Sequence, residues 1–247
     1  MTHTSLRRPS VNKWRAVVFD LDDTLYPESD YVLSGFRAVA TWAAEHLGIP
    51  QEIGYESLEG LFRSACRGNT FDRWLALHHV AAGSTMIAEL TGIYRDHQPT
   101  GLTAFPEVRD VLTQLKRNVS LGIVSDGYLA VQQRKLAALG LAPYFDTVVF
   151  SDQWGRGFWK PSQRPFLAVC EQLAVKAENA IYVGDNPHKD FHGARPLGMG
   201  TVRVQREEGE HAAAVPVSKL HAPDVTISSL RELPDLLGVE RLPRRAL

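Results

Sequence analysis

Cysteine is scarce: the 247 residues include only Cys66 and Cys170. They lie far apart with no Cys-x-x-Cys spacing, so neither a disulfide framework nor a structural zinc site can be built, and each reads as a small buried side chain. Excess charge of either sign is missing too. Lysine and arginine together number 27 against 28 aspartates and glutamates, a net charge of -1, which offers no field to recruit nucleic acid or an anionic membrane surface. No apolar run is long enough to span a bilayer, and Met1 to Trp14 lacks the apolar core that a signal peptide requires. The expectation is a cytoplasmic protein with neither nucleic acid nor membrane as partner. What is present is 44% hydrophobic residues, enough for a full core, in a length that favours one domain with a sizeable insertion.

Hydrophobic spacing orders the rest. Ala16-Val17-Val18-Phe19 is an unbroken β-branched and aromatic run, the pattern of a strand covered on both faces, and it stops at an acidic cluster. From Tyr31 to about Tyr94 apolar residues recur at helical spacing, with breaks at Gly48-Ile49-Pro50, Gly68-Asn69 and Ala82-Gly83-Ser84. A helix led by Pro106 then precedes a strand over 120–124, and a helix over 129–139 stops at Gly140. Strands over 146–150 and 180–183 flank a helix over 166–173, and residues 200–204 and 225–227 add two more strands. Gln205 to Ala222 reads as a surface loop with some helix. Repeated strand–helix alternation implies right-handed crossovers, hence an α/β fold with a doubly wound, mainly parallel sheet. The helical block enters after the first strand and leaves before the second. The expected division is therefore an α/β core of residues 1–27 and 98–247 and an inserted helical cap domain of residues 28–97.

In open parallel sheets ligands bind beyond the carboxyl ends of the strands, and that is where the polar residues fall. The first strand ends at Asp20, followed by Asp22, Asp23 and Thr24. The second ends at Ser125-Asp126-Gly127, and the strand from Ala180 ends at Gly184-Asp185-Asn186, with Asp190 a turn further on. Lys160 lies in the loop after another strand. Carboxylates that converge repel one another, and the usual relief is a hard divalent cation with oxygen ligands, for phosphate chemistry normally magnesium. Asp20 and Asp185 are the obvious ligands. With its charge balanced, Asp20 could attack phosphorus to give an aspartyl phosphate, which divides one difficult hydrolysis into two easier displacements. Asp22, two residues along, could protonate the leaving alcohol and then deprotonate the incoming water. The Ser125 hydroxyl, nearby amides and the Lys160 ammonium would hold the transferring oxygens.

These motifs, in this order and spacing, resemble the haloacid dehalogenase superfamily of phosphohydrolases. Phe19-Asp20-Leu21-Asp22-Asp23-Thr24-Leu25 is similar to the first family motif, Val124-Ser125-Asp126-Gly127 to the second, Lys160-Pro161 to the third, and Gly184-Asp185-Asn186-Pro187-His188-Lys189-Asp190 to the fourth. The resemblance implies that Asp20 is the nucleophile, Asp22 the acid/base, and Ser125, Asp126 and Lys160 the phosphate-binding residues, with Lys160 also steadying the nucleophile. It implies a Mg2+ ion held by Asp20, the backbone carbonyl of Asp22 and Asp185. Asp190 would support that site, and Thr24 would tie down the first loop. The dehalogenase branch lacks an acid/base carboxylate two positions after its nucleophile, so Asp22 argues against dehalogenation.

The expected function is thus a magnesium-dependent phosphatase acting on a small phosphorylated metabolite, a sugar phosphate or a nucleotide-like phosphomonoester. A phosphomutase of the same superfamily and a non-catalytic binding module are the alternatives. Each motif alone is a common turn or helix start; the conjunction carries the reading. Arg37, Arg63, Arg67, Arg73, Trp42, Trp74, His78 and His79 all fall in the expected cap, but arginines there are usually solvated and tryptophans usually packing residues, so none is assigned to the site.

Overall fold

Six short runs rich in β-branched residues form one parallel sheet. The computed structural model of the chain describes residues 13–81 and 83–239, so most of Met1 to Trp14 and the Ala82 break lie outside the described residues. The strands are β1 (Ala16–Phe19), β2 (Ser120–Ser125), β3 (Thr147–Phe150), β4 (Ala180–Gly184), β5 (Gly200–Val204) and β6 (Val225–Ile227), in spatial order β3-β2-β1-β4-β5-β6. Every neighbouring pair is parallel; Phe19 registers with Ile123 on one side and Val183 on the other. β1 and β4 are buried at every residue, which is why they appear in sequence as continuous apolar runs instead of alternating ones. The chain winds outward from β1 to β3, then returns to build β4 to β6 on the other side. The crevice between the carboxyl ends of β1 and β4 is therefore the point where strand order reverses, the place such sheets use for ligands.

The helices are α1 (Glu28–His46), α2 (Gln51–Arg63), α3 (Thr70–Leu77), α4 (Ser84–Asp96), α5 (Val108–Leu115), α6 (Leu129–Leu139), α7 (Arg164–Gln172), α8 (Asp190–Ala194) and α9 (Leu233–Leu236). None is long and apolar enough to cross a membrane. The described residues fall into two compact units. One holds those of Met1–Leu25, Pro106–Asp126 and Leu141–Leu247; the other holds those of Tyr26–Phe105 and Gly127–Gly140.

The first unit contains the sheet. On one face Val18, Val124, Val149 and Tyr182 share a buried cluster with Phe166 and Val169 of α7 and Phe191 of α8, and Cys170 in the same cluster is a free thiol whose pKa burial pushes up to about 11. α5 turns the stripe Val108, Val111, Leu112 and Leu115 inward, the spacing of one helix face. Residues 205–222 hold turns and bends without the helix expected there.

The second unit is helical and includes α6. Phe36 and Val39 of α1, Leu58 of α2, Trp74 and Leu75 of α3 and Leu90 of α4 form its core. Trp74 is fully buried and its indole N–H donates to the Gly54 carbonyl at 2.9 Å, so it is a packing residue with its one polar atom satisfied. His78 and Arg63 are likewise used locally, His78 Nε2 against Ser57 Oγ at 2.8 Å and Arg63 against Glu59 at 2.6 Å. α6 is bound into this unit through neighbouring residues. Arg134 Nη2 donates to the Arg95 carbonyl at 2.5 Å, and the buried Lys135 ammonium lies 3.5 Å from Glu28 and 4.4 Å from the Tyr31 ring centre. Gly140 ends α6 at φ 61°, the left-handed stop that only glycine takes at no steric cost.

Candidate active site

Asp20 occupies the strand-order reversal because the ladder continues one residue past β1: its backbone N–H donates to the Val183 carbonyl at 2.8 Å. The carboxyl group is buried. Oδ1 accepts the Leu21 N–H at 2.8 Å, and Oδ2 lies 2.8 Å from Lys160 Nζ. Lys160 stands in the loop after β3 with a fully buried side chain. An ammonium carries three protons. Two are spent on Asp190 Oδ1 and the Tyr182 hydroxyl, both at 2.8 Å, and the third faces Asp20. Asp190, first residue of α8, uses its other oxygen to accept the Asn186 N–H at 2.8 Å. Residues distant along the chain thus meet around one lysine.

Their proton affinities divide accordingly. Burial raises Asp20 to a pKa of about 6, although Lys160 pulls against it. Burial, then repulsion from Asp190 and Asp20, pushes Asp185 well above the carboxylate range. Burial works the same way on Asp190, but the Lys160 and Lys189 charges and the bonds from Lys160 and Asn186 outweigh it and hold that group low. Asp190 is therefore a settled anion, whereas Asp20 and Asp185 carry charge that the protein does not balance.

The second motif has a different task for its carboxylate. Ser125 ends β2 fully buried, and Asp126 follows. Asp126 Oδ1 accepts the Ser151 hydroxyl at 2.5 Å and the Lys160 N–H at 3.0 Å. It clasps the two ends of the 151–160 loop and so aims Lys160. An ionised carboxylate is an acceptor with no proton to donate to a phosphoryl oxygen, so phosphate contact at this position would fall to the Asp126 backbone N–H. In the first motif Asp22 is half-buried. Asp23 sits at φ 50° and its Oδ2 accepts the Glu210 N–H at 3.0 Å. Thr24 is expected to tie down the loop. Its hydroxyl is buried with no hydrogen bond among the described residues, and its carbonyl accepts from Arg206 Nη2 at 3.0 Å. Arg206 is itself paired with buried Glu107 at 2.7 Å.

Several of these partners escaped sequence reasoning. Tyr182 reads as an ordinary strand residue, and its one signal is a hydroxyl inside a strand buried at every position. Arg203 also had a signal, a charge within the run Gly200–Val204. It is 5% exposed; Nε donates to the Asp185 carbonyl at 3.1 Å, and its other nitrogens donate to Ala214 and His211 at 2.9 and 2.7 Å. The loop of residues 205–222 is thereby moored beside Asp185, with His211 Nε2 also 2.9 Å from Asn186 Nδ2. Glu107, Ser151 and Arg206 had no local signal at all, and Lys189 stood inside the fourth motif without an assigned role.

Oxygen atoms of Asp20, Asp185 and Asp190 lie within 4.8 Å of one another. All are hard donors, and the buried Asp20 Oδ2 has the Lys160 ammonium, shared with Asp190 and Tyr182, as its polar neighbour at 2.8 Å. A buried carboxylate oxygen beside Asp185 and Asp190 fits a small hard cation. Asp190, with both oxygens engaged, fits a supporting place in such a site.

Residues 17–204 match the family described as haloacid dehalogenase-like hydrolase. The chain is 33% identical to a glyceraldehyde 3-phosphate phosphatase of Methanopyrus kandleri, over 90% of this chain and 97% of that one. It is 29% identical to a ribulose-1,5-bisphosphate 5-phosphatase of Halopiger xanaduensis, over 90% and 99%. Among solved structures, a HAD phosphatase from Thermococcus onnurineus superposes with a TM-score of 0.59 at 26% identity, covering 92% of this chain and all of that one.

Proposed function

The chain belongs to the haloacid dehalogenase-like hydrolases, and from that premise we propose that Asp20 is the nucleophile of a magnesium-dependent phosphatase. It is a phosphoric monoester hydrolase acting on a small phosphorylated metabolite. The observation that carries the assignment of Asp20 is its position at the strand-order reversal, 2.8 Å from a fully buried lysine. In this reading the Asp20 carboxylate attacks phosphorus as the bond to the substrate oxygen breaks, and Asp22 gives that oxygen its proton. Asp22 then takes a proton from water, which attacks the aspartyl phosphate, releases inorganic phosphate and restores Asp20.

Mg2+ would be held by Asp20, the Asp22 backbone carbonyl and Asp185, with Asp190 in support; once bound it supplies positive charge against the carboxylates and the phosphoryl oxygens. Lys160 keeps Asp20 oriented, Ser125 and the Asp126 N–H receive phosphoryl oxygens, and Asp126 holds the Lys160 loop closed. Residues 28–97 serve as the inserted cap domain and residues 1–27 and 98–247 as the core, except that α6 belongs with the cap helices. The relatives named for glyceraldehyde 3-phosphate and ribulose-1,5-bisphosphate favour a phosphorylated sugar as substrate.

Phosphate release across a panel of sugar phosphates and nucleotides, with and without Mg2+, tests the reading. Metal-dependent release from one of them supports it. Isomerisation without net release would replace it with a mutase, and silence across the panel with a binding module.

A further inference from the structure

Two lysines enter the candidate site, and they are in opposite condition. Each ammonium proton of Lys160 already faces an oxygen, on Asp190, Tyr182 or Asp20. To reach a phosphoryl group it must surrender one of them, and surrender of either aspartate uncovers a buried carboxylate. The Lys189 ammonium makes no hydrogen bond among the described residues. The carboxylate oxygen in ion-pair range is Asp126 Oδ2 at 3.8 Å, and the side chain is one-third exposed. That distance is too long for a hydrogen bond. Because Asp126 Oδ1 is filled by Ser151 and the Lys160 N–H, Asp126 keeps Lys189 near without binding it tightly.

The loop that carries Lys189 is fixed. The Asn186 carbonyl accepts the Lys189 N–H at 3.3 Å and the Asp190 N–H at 3.0 Å, while Asn186 Oδ1 accepts the His188 N–H at 2.9 Å. Burial and the neighbouring Lys160 work against charge on Lys189, but Asp20, Asp190 and Asp126 outweigh them and raise its proton affinity above that of a free lysine. A phosphoryl group in transfer spreads negative charge over its oxygens and gains most from donors already in place and not otherwise engaged.

We propose that Lys189 is a direct cationic ligand of the substrate's phosphoryl group, an inference that rests on the phosphatase reading above. Lys160 then acts chiefly on Asp20 and Asp190, and the two lysines divide the work of orientation and binding.

The test pairs Lys189→Met with Lys189→Arg in the full chain with Mg2+, using p-nitrophenyl phosphate for turnover and inorganic phosphate for calorimetric binding. Lys189→Met is expected to weaken phosphate binding by about tenfold or more, the loss typical of one charge-assisted bond, and to raise KM similarly, with thermal unfolding unchanged. Lys189→Arg is expected to recover most of the loss, which a merely structural role would not require. Phosphate affinity and KM within twofold of wild type in Lys189→Met would overturn the proposal, as would equal defects in both variants. A wild type that binds phosphate through Lys189 yet releases none from any ester would count against the phosphatase reading and leave this assignment standing.

Discussion

Gly184 and Asp190 approach so closely that a β-carbon on Gly184 would lie 2.7 Å from Asp190 Cγ and still nearer Oδ2. The end of β4 can meet the carboxylate that anchors Lys160 only because this residue has no side chain. Gly184→Ala must therefore displace Asp190 and, with it, Lys160. The expected outcome is a loss of turnover of at least about tenfold with a stability cost of about 1–3 kcal/mol, the range for overpacking. Steady-state kinetics and urea unfolding check it, and unaltered kinetics would show that Asp190 has room to spare.

Asp20→Asn replaces the attacking carboxylate with an amide of the same shape. Turnover is expected to fall by about four orders of magnitude or more, as for other lost nucleophiles. Folding should survive, because the substitution removes a buried carboxyl whose charge is poorly balanced. Phosphate release and circular-dichroism melting read the two parts separately; a wild-type rate in this variant would sink the covalent route.

Unbalanced carboxylates also bear on how magnesium affects stability. Asp20 rises from 3.8 to about 6 on folding, and Asp185 is raised as well. The folded, metal-free protein thus binds protons more tightly than the unfolded chain, and both groups stabilise it at low pH, the Asp20 contribution being lost as pH rises through about 6. A cation that competes with those protons should raise the melting temperature more at pH 7 than at pH 5. At a hundredfold excess over its dissociation constant the gain is about 2.7 kcal/mol. Differential scanning fluorimetry of chelator-treated protein measures this, with Asp185→Asn expected to lose the shift. A shift equal at both pH values, or intact in Asp185→Asn, would place the ion elsewhere.

Glu107 shows the opposite linkage. Burial disfavours its charge, but Arg206, the residue's own N–H and Ser229 more than compensate, and its pKa falls below 4.5. Such a group stabilises the fold above its unfolded value and loses that contribution as pH drops through the folded one. Glu107→Gln should therefore be destabilised relative to wild type at pH 7, with the gap narrowing below about pH 4.5. Because Arg206 also holds the Thr24 carbonyl, KM should rise in the same variant. Urea midpoints taken from pH 3 to 7 decide the matter; parallel curves would mean that the pair contributes no net charge energy.

Much of this architecture is legible one residue at a time. The β-branched run at Ala16–Phe19, the helical spacing from Tyr31 and the glycine at 140 each act within a few residues, so sequence alone locates β1, the helical block and the end of α6. The acidic and hydroxyl residues at strand ends announce themselves by where the apolar runs stop. Sequence misjudged or missed what depends on a distant partner. Thr24 stands in the first motif, and its carbonyl is held by Arg206, a partner no local pattern names. Asp126 sits in a phosphate-like motif, yet its carboxylate serves Ser151 and Lys160.

The chain's pattern by itself determined the parallel sheet, the inserted helices and which motifs stand at the strand ends, because periodicity and chain reversal are local properties of neighbouring residues. Only tertiary structure decided that Tyr182 and Asp190 saturate Lys160, that Arg203 moors the 205–222 loop beside Asp185, and that Lys189 keeps an uncommitted charge. Those outcomes are set by competition for hydrogen bonds and for burial among groups far apart in the chain, and no linear order records who wins it.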